Sequence, residues 1–137
     1  MSLLTEHDNI DVLIACIMGE AEAESVIGKI AVACVIRNRV TDHRWPNTYK
    51  AVCLQAKQFS CFNPDRFRPE IMRPQLTNIY WRECKFAAWG VANNYVLDIT
   101  RGANLYWNPD VIEKPPWDWS KIDILDKFGH HQFCKER

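Results

Sequence analysis

The stretch IMGEAEAES at residues 17–25, followed by the apolar run VIGKIAVACVIRNRV at residues 26–40, places an acidic group between two helical patterns. A helix that ends at Gly19 would hold the carboxyl group of Glu20 at the edge of a packed core. Partial burial at that edge raises the pKa of a carboxyl group, so that it can donate a proton near neutral pH. Glu20 is therefore the first candidate for a chemical role.

The two flanking patterns predict helices. A first helix is expected from about Asn9 to Met18, because its apolar residues recur at intervals of three and four. Ser25 is a suitable N-cap for a second helix that runs to about Arg39. Within the second helix, Ala31 and Ala33 permit the close approach of another helix.

The rest of the chain predicts shorter elements. A short helix is expected at residues 49–54 and a longer one at residues 77–93, with an irregular segment at residues 63–74 between them. Short strands are expected at residues 103–107 and 131–133, in a region otherwise rich in Gly, Pro and aromatic residues. The predicted fold class is α+β, mainly α, with a small β or irregular element.

Composition limits the classes of function. The 137 residues, of which 47% are hydrophobic, predict a single domain over residues 1–137 with a sizeable core. Lys plus Arg equals Asp plus Glu at 17 each, which argues against broad binding to nucleic acid. The six Trp and four Tyr mostly fill the core, but some are expected to line a groove. Aromatic faces suit the apolar faces of sugar rings.

No membrane insertion and no signal peptide are expected. The apolar stretch at residues 10–18 contains Asp11 and is too short to span a bilayer. It is preceded by acidic residues rather than by a positively charged segment. The chain is thus expected to begin as a cytoplasmic product, or to be a fragment whose targeting segment is missing. Its six cysteines are expected to be free thiols, with a Cys53–Cys61 pair as the alternative.

Five motifs occur in a specific order along the chain. They are Gly19-Glu20-Ala21, GKIAVACVIRNRV at residues 28–40, Gln58-Phe59-Ser60, RGANLYWNP at residues 101–109 and GHHQF at residues 129–133. Together they resemble the cell-wall hydrolase family of the spore cortex-lytic enzymes (the SleB/CwlJ type), from about residue 14 to residue 133. Residues 62–77 and the Trp-rich segment at residues 115–119 follow no pattern of that family.

The resemblance implies a lysozyme-like or lytic-transglycosylase-like domain with one catalytic glutamate at Glu20. This acid would protonate the oxygen that links N-acetylmuramic acid to N-acetylglucosamine in peptidoglycan glycan strands. The resulting carboxylate would take a proton from the muramic acid 6-hydroxyl, which closes a 1,6-anhydro ring. The reaction needs no cofactor and no second carboxylate, whereas ordinary glycoside hydrolysis normally uses two.

Two alternatives remain open at this point. The first is simple hydrolysis by a muramidase, in which a partner such as Asp98 would hold or activate a water molecule for Glu20. The second is a catalytically silent glycan-binding module that keeps an aromatic groove. The presence of Glu20, Gln58 and Tyr106 together favours the enzyme.

Substrate-binding residues are also implied. By resemblance, Gln58 and Ser60 lie along the glycan cleft, although their segment is equally typical of a loop that caps a helix. On a strand, Tyr106 and Asn108 would share the face that points into the cleft, while Trp107 packs into the core. Lytic transglycosylases generally have a tyrosine near the acid, and this makes Tyr106 the second candidate.

The histidines and the other glutamates in or near these motifs are not expected to be catalytic. His131 is expected to orient substrate or to be structural, and His130 stands where the family more often has asparagine. No metal site is expected from these histidines, because adjacent histidines usually diverge. Glu22 and Glu24 are expected to be solvated carboxylates.

The expected partner is peptidoglycan, with no nucleic acid, and the protein is expected to act as a monomer. A phage endolysin is the expected setting. Such an enzyme accumulates in the cytoplasm and reaches the wall after another protein breaches the membrane.

Overall fold

A computed structural model describes residues 8–55 and 58–137. The helices are α1 (Asn9–Ala21), α2 (Val26–Val40), α3 (Tyr49–Cys53) and α4 (Ile79–Ala92), and the strands are β1 (Leu105–Trp107), β2 (Ile122–Phe128) and β3 (His131–Glu136). Short 3-10 turns lie at Ser60–Phe62, Pro69–Met72 and Trp119–Lys121. The predicted α+β, mainly α class is confirmed. Within the described part of the chain, no helix has the length and apolar character needed to cross a membrane.

Helix α1 is the centre of the molecule. The side chain of Asp8 caps its start by accepting a 2.8 Å hydrogen bond from the amide of Asp11. Every residue from 12 to 18 is buried, so the helix is apolar around its whole circumference rather than along one stripe. The other three helices and the turn at Pro69–Met72 pack around it, and the C-terminal end of α1 is thereby held firmly in place.

The end of α1 differs from the prediction. The helix continues to Ala21, so Gly19 and Glu20 lie within its last turn and the expected stop at Gly19 is wrong. Gly19 is needed for a different reason, which is the close approach of Cys61. A Cβ atom at Gly19 would clash with the Cβ atom of Cys61 and lie 2.6 Å from its Sγ atom.

Helix α2 follows the prediction closely. The Ser25 hydroxyl accepts a 3.2 Å hydrogen bond from the amide of Gly28, which confirms the N-cap. Lys29 is fully buried in this helix, and its ammonium group lies 2.7 Å from the carboxylate of Glu83 on α4. The same ammonium donates a 2.9 Å hydrogen bond to the backbone carbonyl of Glu24. Lys29 therefore fastens the loop after α1 to α2 and α4.

The three strands form an antiparallel sheet in the order β1-β3-β2. Tyr106 pairs with Phe133, and Trp107 pairs with Gln132. The predicted strands β1 and β3 are confirmed, and β3 is longer than expected. Strand β2 was not predicted, since Ile122 is its only buried residue and its sequence lacks a clear apolar alternation. Gly129, with φ of 59°, allows the tight turn between β2 and β3.

The cysteines are all within the described residues, and all six are free thiols, as expected. Five are buried and Cys61 is partly exposed. The alternative of a bond between Cys53 and Cys61 is therefore not realised.

Candidate active site

Glu20 and Tyr106 meet at the boundary between the helices and the sheet. Glu20 is half-buried in the last turn of α1, and Tyr106 is the middle residue of β1. The Tyr106 hydroxyl donates a 2.9 Å hydrogen bond to Oε1 of Glu20. The structure thus brings together the first and second candidates of the sequence.

The environment of Glu20 favours its protonated form. Burial raises the pKa of this carboxyl group, while hydrogen bonds from Tyr106 and Cys61 and the charge of Arg39 offset only part of that effect. A glutamic acid with a raised pKa keeps its proton at a higher pH than an exposed one does. This is the property that a general acid requires.

Tyr106 stays a hydrogen-bond donor. Its pKa lies well above the ordinary value because the phenol is buried and because the negative charge of Glu20 opposes ionisation. The ring packs against His131, with ring centroids 4.8 Å apart, and against Phe133 at 5.4 Å. These contacts from β3 hold the orientation from which the hydroxyl reaches Glu20.

Arg39 is a functional candidate that sequence reasoning missed. It lies on α2, is only 5% exposed, and donates a 2.8 Å hydrogen bond from Nε to the carbonyl of Asn104. Its guanidinium also lies over the rings of Trp45 and Phe59, at 5.5 and 5.4 Å. A charged residue inside the apolar run 26–40 was the available signal, because an arginine is seldom buried without a specific role.

Gln58 and Ser60 lie on the segment that passes beside the end of α1. The Gln58 side-chain oxygen accepts a 3.4 Å hydrogen bond from Arg39, and Ser60 is exposed at the start of a 3-10 turn. Phe59 between them is buried and anchors the segment in the core. Cys61, also missed from the sequence, contributes hydrogen bonds that act to lower the pKa of Glu20.

The residues that follow Tyr106 have other environments. The Asn108 side-chain oxygen accepts a 2.9 Å hydrogen bond from the amide of Asp110, which forms a local turn. Trp107 packs against Trp117 and Trp119, with ring centroids 5.8 and 5.4 Å apart. The expectation that Trp107 enters the core is wrong, because the face of β1 that packs against the core is the one that carries Tyr106. Trp107 lies on the opposite face.

Glu24 is not the solvated carboxylate that was expected. Its side chain is only 10% exposed, and it accepts a 3.1 Å hydrogen bond from the backbone amide of His130. The Nδ1 atom of His131 lies 3.6 Å from the same carboxylate oxygen. Glu22, by contrast, is 37% exposed and pairs with Arg68. The burial of Glu24 results from the β2–β3 turn, which is distant in sequence.

Asp98 organises a loop. It accepts hydrogen bonds from the amide and hydroxyl of Thr100, the amide of Gly102 and the side chain of Asn38, at 2.6 to 2.9 Å. Burial acts to raise the pKa of Asp98, but the hydrogen bonds from Thr100 and Asn38 outweigh it and leave the pKa below its ordinary value. Across residues 8–55 and 58–137, no group of three or more His, Cys, Asp or Glu residues has the arrangement of a metal site.

Known proteins are similar to this chain over most of its length. The chain is 31% identical to the spore cortex-lytic enzyme of Bacillus cereus over 94% of its own length and 45% of that protein. It is 28% identical to the enzyme of the same name from Bacillus subtilis, over 94% of its length and 38% of the relative. The chain therefore spans less than half the length of these relatives.

A solved structure is similar over nearly the whole domain. The catalytic domain of the germination-specific lytic transglycosylase SleB from Bacillus anthracis has a TM-score of 0.73 and 31% sequence identity, covering 93% of each chain. This similarity confirms the expected lytic-transglycosylase-like fold. A family model of cell wall hydrolases matches residues 23–134, and the chain therefore belongs to the cell wall hydrolase family.

Proposed function

We propose that this protein cleaves peptidoglycan glycan strands between N-acetylmuramic acid and N-acetylglucosamine, with Glu20 as the single catalytic acid. The observation that carries the proposal is the half-buried Glu20 carboxyl group, whose pKa is raised and whose Oε1 atom is held by Tyr106. Similarity to spore cortex-lytic enzymes and to a lytic transglycosylase domain supports the choice of substrate class.

The geometry supports a specific course for the proton. Since Tyr106 donates to Oε1 of Glu20, the transferable proton is carried by Oε2. This proton passes to the glycosidic oxygen, and the bond from that oxygen to C1 of muramic acid breaks with its electron pair going to the leaving sugar. The Glu20 carboxylate then takes the proton of the 6-hydroxyl while O6 bonds to C1. The 1,6-anhydro product forms and Glu20 recovers its proton, with no cofactor and no water consumed.

Asp98 supports transglycosylation over hydrolysis. The hydrolytic alternative assigned this residue to hold or activate water. Its carboxylate already accepts hydrogen bonds from Thr100, Gly102 and Asn38. A carboxylate engaged in this way stabilises its own loop and is poorly available to a water molecule at Glu20.

The proposed substrate contacts extend from Glu20 along the adjoining segments. Because the Gln58 oxygen faces Arg39, its amide nitrogen is the group available to sugar hydroxyls. Ser60 offers an exposed hydroxyl beside it. Asn108 and His131 complete the proposed set on the sheet side, with the amide nitrogen of Asn108 as the donor because its oxygen closes a turn.

The geometry of the site does not depend on the biological setting in which the protein acts. The relatives are named as spore cortex-lytic enzymes. A phage endolysin that acts as a monomer, and that stays in the cytoplasm until the membrane is breached, remains a prediction from the sequence.

The test is mass spectrometry of the soluble products from purified peptidoglycan. Wild type, Glu20→Gln and the neighbouring control Glu22→Gln would be compared on several wall types. Products with 1,6-anhydromuramic ends from wild type and Glu22→Gln, but not from Glu20→Gln, are expected. Glu20-dependent products with ordinary reducing ends would instead mean hydrolysis, and no product from any of the three proteins would favour the glycan-binding module.

A further inference from the structure

The carboxylate of Glu24 is held in place by the turn between β2 and β3. Oε1 of Glu24 accepts hydrogen bonds from the backbone amide of His130 at 3.1 Å and interacts with the His130 ring at 3.2 Å. The turn between β2 and β3 packs tightly against the Glu24 carboxyl group, because a Cβ atom at Gly129 would lie 3.0 Å from the carboxyl carbon. Glu24 therefore joins the loop after α1 to the sheet.

The backbone of Glu24 is equally constrained. Its amide donates a 3.0 Å hydrogen bond to the carbonyl of Ala21 at the end of α1. Its carbonyl accepts a 2.9 Å hydrogen bond from the buried Lys29, which is itself bound to Glu83 at 2.7 Å. The carboxylate thus has a defined position relative to Glu20, which lies in the last turn of the same helix.

His131 connects Glu24 to the site. Its Nδ1 atom is buried and has no hydrogen-bond partner at ordinary distance within the described residues, while Oε1 of Glu24 lies 3.6 Å away. A buried nitrogen without a partner is costly, so a small adjustment that forms the Nδ1–H···O bond is favoured. The His131 ring contacts the ring of Tyr106 edge-on at 4.8 Å, and Tyr106 in turn holds Glu20.

We propose that Glu24 is a positioning residue for the reaction at Glu20. Its carboxylate selects the Nδ1–H tautomer of His131 and fixes the plane of the ring, which keeps Tyr106 aligned on Oε1 of Glu20. The proposal rests on the proposed function of Glu20 for its catalytic consequence, but the geometry of His131 is independent of that function. The tautomer of a histidine is set by the hydrogen-bond partner of one of its ring nitrogens. The orientation of a catalytic group affects turnover more than substrate binding.

The groups that act on the charge of His131 come from each neighbouring element. They are Glu24 from the loop after α1 and His130 from the turn, while the Tyr106 phenol from β1 contacts the His131 ring. Burial lowers the pKa of His131, Glu24 acts to raise it, and His130 acts to lower it further. Removal of the Glu24 charge should therefore lower the pKa of His131 again.

The first experiment is NMR of the histidine ring nitrogens in the purified protein, recorded against pH. Wild type should show a neutral Nδ1–H tautomer for His131 at pH 7. Glu24→Gln should lower the His131 pKa and change its tautomer ratio, whereas Glu22→Gln, an exposed carboxylate on the same loop, should change neither. An Nε2–H tautomer in wild type, or a His131 titration unchanged in Glu24→Gln, would overturn the proposal.

The second experiment measures product release from peptidoglycan. Glu24→Gln should lower kcat about 10- to 100-fold with little change in KM, and Glu24→Asp, which keeps the charge, should recover part of the loss. A folded Glu24→Gln variant that cleaves at the wild-type rate would refute the positioning role while the function of Glu20 stands. If wild type itself releases no product, the proposed function fails, and the NMR result alone decides whether Glu24 controls His131.

Discussion

The hydroxyl of Tyr106 donates a 2.9 Å hydrogen bond to Oε1 of Glu20, although the two residues are 86 positions apart in sequence. The bond favours the charged form of Glu20 and so acts against burial, which favours the neutral form. The pKa of Glu20 is raised because burial is the larger effect. Substitutions that remove the hydrogen bond or the buried carboxyl group should therefore alter the pH dependence of activity and of stability.

Tyr106→Phe removes the hydrogen bond and keeps the ring. The pKa of Glu20 should rise further, because the lost bond stabilised its carboxylate. An acid catalyst with a higher pKa stays protonated to higher pH, so the alkaline limb of kcat/KM should move to higher pH. The maximal rate should fall about 10-fold through loss of orientation. Tyr95→Phe, at a side chain 83% exposed, is the control and should leave the profile unchanged. An alkaline limb that stays in place in Tyr106→Phe would contradict this account.

Glu20→Gln should increase stability at neutral pH. Burial raises the pKa of Glu20 above its ordinary value of 4.5, so ionisation of this group destabilises the folded state. The penalty appears as the pH rises above 4.5, where the unfolded chain ionises first, and it is complete above the pKa of the folded protein. Below pH 4.5 the group is protonated in both states and the penalty is absent. Thermal unfolding at pH 4 and pH 7 should therefore show a higher Tm for the variant at pH 7 only. A variant less stable than wild type at pH 7 would show that burial of Glu20 carries no such penalty.

Gly19→Ala should destabilise the protein by about 1–3 kcal/mol through overpacking. The added methyl group would clash with the Cβ atom of Cys61 and approach its Sγ atom to 2.6 Å. Cys61→Gly removes both of these atoms, so the combined variant should lose less stability than the sum of the single variants. Urea unfolding of the four proteins gives the coupling, and strict additivity would mean that the contact with Cys61 is not the cause.

Glu83→Gln should lower the free energy of unfolding by about 2 kcal/mol, because it leaves the fully buried ammonium of Lys29 without its carboxylate. The matched control is Asp126→Asn, which breaks the exposed pair with Arg101. An exposed pair contributes about 1 kcal/mol or less. Denaturant unfolding of both variants measures the difference, and equal losses would mean that burial of Lys29 does not strengthen its pair.

Much of the helical architecture was predictable from local patterns. Ser25 was identified as the N-cap of α2 because a side-chain oxygen at that position satisfies an otherwise free amide, and the structure has that bond. The end of α1 was misplaced at Gly19, because a glycine after an apolar run commonly ends a helix. The actual reason for glycine is contact with Cys61, and no local pattern reveals a contact of that kind.

Local sequence patterns also failed to predict strand β2 and the surroundings of Trp107. β2 has one buried residue, Ile122, so its pairing with β3 rather than its own composition makes it a strand. The alternation of β1 correctly separated Tyr106 from Trp107. It did not reveal which face meets the core, since that depends on what packs above each face.

Some features of the candidate site follow from the sequence, and others depend on the tertiary structure. The sequence by itself determined the first two helices, because periodicity and capping are properties of neighbouring residues. It also identified Glu20 and Tyr106 as the leading candidates, through the order of the motifs that carry the family resemblance. Only the tertiary structure decided that Glu24 is shielded by a turn 106 residues away and that Arg39 is buried beside Gln58. The physical reason is that burial and electrostatic environment are created by segments distant in the chain, and they decide the protonation state of a carboxyl group more than its own sequence neighbours do.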